Sequence, residues 1–189
     1  MTCGGLVAHP TTGLWGIAAD PLSTIAMARL SGIKGSASRQ GFIVIAANVR
    51  LFRGWHTVGE RFDRFAATAF EGPVTVVLEA GPQAQPSVVS EVGTVALRVD
   101  THLAVTQLSK ALGRPFTSTS LNFAGEPPAP TPNEAPKTLR ELLGGRFVAG
   151  PEPSGTASTL VRFDGDRIEV LRSGVTPQSV IAAAWAGSK

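Results

Sequence analysis

The sequence predicts an α/β fold whose sheet mixes parallel and antiparallel strands, and three observations carry that reading. Short apolar runs at residues 41–47 and 74–78 have the length and β-branched content of strands buried on both faces. Stretches with helical spacing, at 57–70 and 101–112, interleave with the strands. An antiparallel pair is written near the end of the chain: residues 160–163, the turn Asp164-Gly165-Asp166, then residues 168–171. The 189 residues, 43% hydrophobic and 16% charged, are expected to form a single domain over 1–189 with one sizeable core.

Taken in order, Leu6-Val7-Ala8-His9 reads as a short buried strand that opens into a loop at Pro10. Asp20-Pro21 reads as an N-cap followed by a first-turn proline. The helix it opens would run to about Ile33, with Ile25, Ala28 and Leu30 toward the core. After the strand at 41–47, Val58, Phe62, Phe65 and Ala66 fall on one side of the helix at 57–70. The turn Gly72-Pro73 precedes the strand at 74–78, and 94–99 is a further strand. The helix at 101–112 closes on Gly113, and 116–118 is a short strand that leads into a loop bearing Ser120 and Asn122. Five prolines within residues 126–136 make an extended connector, read as an exposed loop or flap. Thr176-Pro177 opens a final helix beyond the hairpin.

Composition narrows the function classes. The single cysteine, Cys3, excludes an intrachain disulfide and a Cys-based zinc site. No apolar run reaches the roughly 18 residues of a membrane span, and the first residues lack the pattern of a signal peptide, so a cytoplasmic, membrane-free location is expected. Net charge is +3, with seven basic and two acidic residues between Arg29 and Arg64. That bias suits phosphates or an RNA backbone, and it equally suits a plain solvated surface. His9, His56 and His102 are scattered and read as surface or packing residues; no metal-binding spacing, nucleophile elbow or phosphate loop is present. What the chain does offer is hydroxyl, amide and cationic groups in turns beyond apolar strands: Thr11, Thr12, Lys34, Thr94, Arg98, Ser118, Ser120, Asn122, Ser158 and Arg172. Such a set suits an anionic ligand held by many hydrogen bonds, although Ser, Thr and Asn also serve simply to make turns.

Several of these groups sit in recognisable segments. They are Pro10-Thr11-Thr12-Gly13-Leu14-Trp15-Gly16 with Ala19-Asp20, Lys34-Gly35-Ser36-Ala37 with Gly41-Phe42, Glu71-Gly72-Pro73-Val74-Thr75, Thr94 to Arg98, Ser120-Leu121-Asn122, Ser158-Thr159-Leu160, and Leu171 to Gly174. In this order, over roughly residues 5–175, they resemble the YrdC-like (TsaC-type) family of L-threonylcarbamoyladenylate synthases. The resemblance implies a twisted mixed sheet with a concave basic face and a nucleotidyltransferase that uses ATP, L-threonine and bicarbonate or CO2. Pyrophosphate would leave, Mg2+ would accompany ATP, and the product would start threonylcarbamoyladenosine (t6A) modification of tRNA. Lys34, Ser120 and Asn122 would be catalytic. Lys34, Thr94, Ser120, Asn122 and Arg172 would bind ATP, while Thr11, Arg98, Ser118 and Ser158 would bind threonine, with Arg98 on its carboxylate. No protein-held metal is implied. Partners would be separate downstream t6A transferase proteins, with tRNA or double-stranded RNA as a further ligand.

This chain departs from the family pattern at three places. Ser36 stands where the family has an arginine, with Arg39 three residues on, and Thr12-Gly13 replaces an acidic-Thr pair, which is expected to loosen the strand-end loop. The helix that relatives carry before the first strand is not seen, which is expected to reflect a start set too late or a shortened paralogue with an uncovered sheet face. An alternative reading is therefore a catalytically weakened paralogue that binds double-stranded RNA, tRNA or nucleotide.

Overall fold

The computed structural model describes residues 3–58, 60–69, 73–164 and 167–188. Its strands are β1 (Val7–Pro10), β2 (Trp15–Ala19), β3 (Ile43–Ala46), β4 (Val74–Glu79), β5 (Thr94–Val99), β6 (Phe116–Ser120), β7 (Thr159–Asp164) and β8 (Arg167–Arg172). The helices are α1 (Thr24–Lys34), α2 (Glu60–Ala69), α3 (Leu103–Leu112), α4 (Lys137–Leu143) and α5 (Gln178–Gly187). All eight strands join one sheet of order β1-β2-β6-β3-β5-β4-β7-β8. The β3–β5 and β4–β7 pairs are parallel and the others antiparallel, so the mixed sheet expected from the sequence is present.

Alternation along each strand divides the sheet into two unlike faces. Val44, Ala46, Val76, Leu78, Val95, Leu97 and Val161 are buried in one large cluster with Met27 and Leu30 of α1, Phe62 and Phe65 of α2, and Ile181 and Trp185 of α5. The other face carries Ile43 opposite both Ala96 and Ser118, and Ile45 opposite both Arg98 and Phe116. Val105 of α3 covers one end of it, against Ala18, Ile45 and Phe116. The rest of that face holds the site described below.

The structure corrects several local expectations. Ser23, not Asp20, caps α1: its side chain accepts from Ala26 N at 3.2 Å, while Asp20 accepts from Leu22 N and from Arg114. The buried stripe of α1 is Ala26, Met27, Leu30 and Ile33; Ile25 is 59% exposed and Ala28 also faces outward, because neither fits that spacing. The helix expected from 57 starts at Glu60, and the one expected from 101 starts at Leu103, with His102 as its cap and Gly113 (φ +66°) at its end. Strand β6 runs to Ser120, which is thus a strand residue rather than part of the following loop.

Strand β2 and helix α4 are elements beyond those expected. So are 3-10 turns at Gly35–Gln40 and Val49–Phe52. Residues 126–136 contain no helix or strand and are mostly exposed, anchored by buried Ala129 and Ala135. Phe70, Gly72 and the hairpin tip Gly165-Asp166 lie outside the described residues. Among the described residues no helix is long and apolar enough to cross a membrane.

Candidate functional site

Because the strand ends converge on the open face, side chains far apart in sequence become neighbours. Thr11 follows β1, Arg98 lies near the end of β5, Ser118 and Ser120 lie on β6, Ser158 precedes β7, and Arg172 ends β8. All six line one cavity of about 270 Å³, together with Leu14, Trp15, Ile43, Ile45, Pro128 and Ala157. Of the residues picked from the sequence, these six are brought together; Thr12, Lys34, Thr94 and Asn122 lie outside the lining.

Arg98 is buried and held from one side. Its Nη2 donates to Asp100 Oδ2, to Thr12 Oγ1 at 2.9 Å and weakly to Thr11 Oγ1 at 3.4 Å. Its Nε is buried with no partner in the protein. Burial lowers its pKa, and the adjacent Asp100 opposes that shift. Asp100 also accepts from Thr12 N (3.2 Å), Thr12 Oγ1 (3.0 Å) and His102 N (2.9 Å), so its carboxylate is fully enclosed. Arg98 also lines the cavity, and a buried guanidinium there is suited to an anionic group of a ligand.

The loop after β1 is pinned rather than loosened. Thr11 Oγ1 donates to Leu14 O at 2.8 Å and accepts from Gly13 N at 3.1 Å. Gly155 N donates to Gly13 O at 2.9 Å and Ser154 N to Thr12 O at 3.2 Å. Glycine at 13 permits this approach, since a Cβ there would lie 2.6 Å from Thr156 O. Trp15 Nε1 donates to Glu152 Oε2 at 3.1 Å, and His102 Nε2 contacts Pro151 O at 3.0 Å, which fixes the segment leading to Ala157 and Ser158. Ser158 Oγ shares a hydrogen bond with Thr75 Oγ1 at 2.8 Å, and Arg172 Nη2 donates to Ser158 O at 3.0 Å.

Beside β6, Lys34 Nζ donates to Ser120 O (2.8 Å), Asn122 O (2.9 Å) and Asn122 Oδ1 (2.6 Å). Ser120 Oγ donates to the same Asn122 Oδ1 at 2.6 Å. Burial lowers the Lys34 ammonium from 10.5 to about 8. Thr94 shares the Arg98 face at the opposite end of β5, and its Oγ1 is 2.7 Å from Ser90 Oγ. Ser36 and Arg39 are both exposed on the 3-10 turn after Lys34.

Two groups at the site were not singled out from the sequence as site residues. Asp100 follows Arg98 by two residues, the strand spacing that keeps side chains on one face, but it stands just before a helix start. His9, expected to pack or to lie at the surface, is fully buried, and its Nε2 lies 2.9 Å from Ser118 Oγ. Burial lowers its imidazole from 6.5 to about 4. The native chain therefore binds this proton less readily than the unfolded chain between those values, and stability is lost as pH falls from 6.5 toward 4. The expected loss is about 3 kcal/mol by pH 4. Urea unfolding at pH 7 and pH 4.5 checks it, with His9→Phe flattening the slope in that window.

The Sua5/YciO/YrdC family model, described as telomere recombination, matches residues 1–174. The chain is 34% identical over 176 residues to the threonylcarbamoyl-AMP synthase of Stenotrophomonas maltophilia (strain K279a), covering 92% of this chain and 94% of that protein. It is 32% identical over 180 residues to the threonylcarbamoyl-AMP synthase of Vibrio campbellii (strain ATCC BAA-1116), covering 92% and 95%. In fold it is similar to P. abyssi Sua5 complexed with L-threonine, with TM-score 0.84 and 24% identity over 97% of this chain; the chain spans 54% of that one. It is also similar to E. coli YciO, with TM-score 0.81 and 20% identity, covering 95% of this chain and 88% of that one.

Proposed function

The chain belongs to the Sua5/YciO/YrdC family, and from that premise we propose that it is an enzyme forming L-threonylcarbamoyladenylate from L-threonine, bicarbonate or CO2, and ATP. The observation that carries the reading is the single cavity into which Thr11, Arg98, Ser118, Ser120, Ser158 and Arg172 converge. L-Threonine would sit there with its carboxylate on Arg98 and its polar groups on Thr11, Ser118 and Ser158. The threonine amine adds to CO2 and loses a proton, giving a carbamate. A carbamate oxygen attacks the α-phosphorus of ATP, the bond to the β-phosphate oxygen breaks, and pyrophosphate leaves. The nucleophile belongs to the substrate, so the protein's task is positioning and stabilisation of phosphoryl charge.

The nucleotide would extend from the cavity along the open face, past Arg172 and Ser120 and toward Thr94. Lys34 and Asn122 support Ser120 and place a cation beside it. Mg2+ would enter with the triphosphate. No group of three or more His, Cys, Asp or Glu side chains that could hold a metal lies together among the described residues. The product's place at the start of t6A modification of tRNA, with separate transferase proteins downstream, follows from the same reading.

The test is pyrophosphate release from ATP by the purified chain, with and without L-threonine and bicarbonate. Release that requires both supports the synthase. Absence of release from a folded sample that binds RNA or nucleotide overturns it in favour of a binding paralogue. Ser36→Arg adds a cation to the exposed turn after Lys34 and is expected to raise the rate roughly tenfold or more through a further phosphate contact. Initial rates at saturating threonine check that increase.

A further inference from the structure

His9 is the one histidine sealed inside the sheet against the cavity wall, and the scheme above gives it no task. Its side chain is fully buried. Nδ1 lies 3.2 Å from Pro10 O and Nε2 lies 2.9 Å from Ser118 Oγ. A carbonyl oxygen can only accept, so the ring proton sits on Nδ1 and Nε2 presents a lone pair. The hydroxyl proton of Ser118 therefore points to Nε2. The ring is also fixed edge-on to Phe116, with centroids 5.4 Å apart. Gly16 leaves room for the pair, because a Cβ there would lie 2.9 Å from Ser118 Oγ and 3.1 Å from His9 Nε2. Arg98, Asp100 and His102 are its charged and titratable neighbours, and burial keeps the imidazole neutral near pH 7.

We propose that His9 is a positioning residue: by taking the Ser118 hydroxyl proton it leaves Ser118 only oxygen lone pairs to offer the cavity, so that the site selects its ligand by an amino group. An α-amino acid whose carboxylate meets Arg98 places N–H donors where such an acceptor is useful. A hydroxy acid of the same shape has one donor instead of three, and a keto acid has none. A serine free to rotate would donate to the oxygen of either and would tolerate the exchange. A site built to bond one polar group discriminates strongly against analogues that lack it, because its own polar atom is then left unpaired. This inference rests on the amino-acid-binding reading of the cavity.

The test is calorimetric titration of L-threonine and of 2,3-dihydroxybutyrate, its analogue with hydroxyl in place of the amine. Both are titrated into the wild type, His9→Phe, Ser118→Ala and the double variant. Wild type that fails to bind threonine refutes the amino-acid reading itself. If the wild type binds, His9→Phe is expected to weaken threonine about tenfold and to narrow the preference for amine over hydroxyl by a similar factor. The double variant should be no weaker than Ser118→Ala, since His9 acts only through that hydroxyl. An unchanged preference in His9→Phe, or additive losses in the double variant, overturns the proposal. Should His9→Phe not fold, His9→Gln retains an acceptor oxygen and is expected to keep the preference; losing it to the extent of Ser118→Ala overturns the proposal equally.

Discussion

Arg98→Met is expected to lower threonine-dependent pyrophosphate release by about three orders of magnitude or more, while Arg98→Lys folds normally and loses about ten- to a hundredfold. The difference follows from how the guanidinium is shared. Nη2 is committed to Asp100, Thr12 and Thr11, and Nε is left buried with no partner in the protein. Lysine can retain the ion pair with Asp100 but has no second edge with which to meet a ligand carboxylate. That costs one charge-assisted hydrogen bond, worth about 1.5–3 kcal/mol. Methionine removes the charge altogether. The Asp100 side chain is 0% exposed and would stay buried without a countercharge, which is expected to cost about 3–5 kcal/mol of stability. Asp100→Asn in the Arg98→Met background separates the two effects, restoring much of the stability and none of the activity. Denaturant unfolding and initial rates on the four proteins check this. Arg98→Met with near-normal KM and kcat would remove the carboxylate-binding role.

Residues of the cavity were visible one at a time because they sit at the ends of apolar runs and in ordered short segments. Their meeting was not visible, since it depends on a strand order that no local pattern encodes. His9 and Ser118 are 109 residues apart and touch only because β2 pairs with both β1 and β6. Strand β2 itself is hard to read: Trp15-Gly16-Ile17-Ala18-Ala19 has one β-branched residue, and its five buried positions come from its neighbours rather than from propensity. In α1 the apolar character of Ile25 misleads, because burial follows the stripe of Ala26, Met27, Leu30 and Ile33 set by the sheet beneath. Histidine carries no local mark of burial, so His9 looked no different from His56 or His102 until the sheet closed over it. Lys34 was legible as a cation near the site, but its three acceptors on Ser120 and Asn122, more than eighty residues away, were not.

Burial gives Lys34 an unusual pH dependence: activity is expected to fall as pH rises through about 8 with no matching fall in stability on this group's account. In the native chain burial releases the Lys34 proton near 8, whereas in the unfolded chain it leaves near 10.5. Between those values the unfolded state holds more protons, so the Lys34 contribution to stability rises with pH. A phosphate, in contrast, needs the ammonium, and the neutral amine also offers one hydrogen fewer to Ser120 and Asn122. The two observables therefore move in opposite directions over one window. Lys34→Met should abolish this alkaline limb and reduce the rate about a hundredfold or more, because both the cation and the tie to the Asn122 loop beside Ser120 are lost. It should also cost about 1–3 kcal/mol of stability near neutral pH, since Asn122 O loses its side-chain donor, while Ser120 O keeps Asn122 N and Asn122 Oδ1 keeps Ser120 Oγ. Rate profiles from pH 6.5 to 9.5 on wild type and variant, with unfolding midpoints at the same pH values, decide the matter. An alkaline limb that persists in Lys34→Met, or one that tracks unfolding in the wild type, would assign the titration to another group and leave Lys34 as a tie for the loop alone.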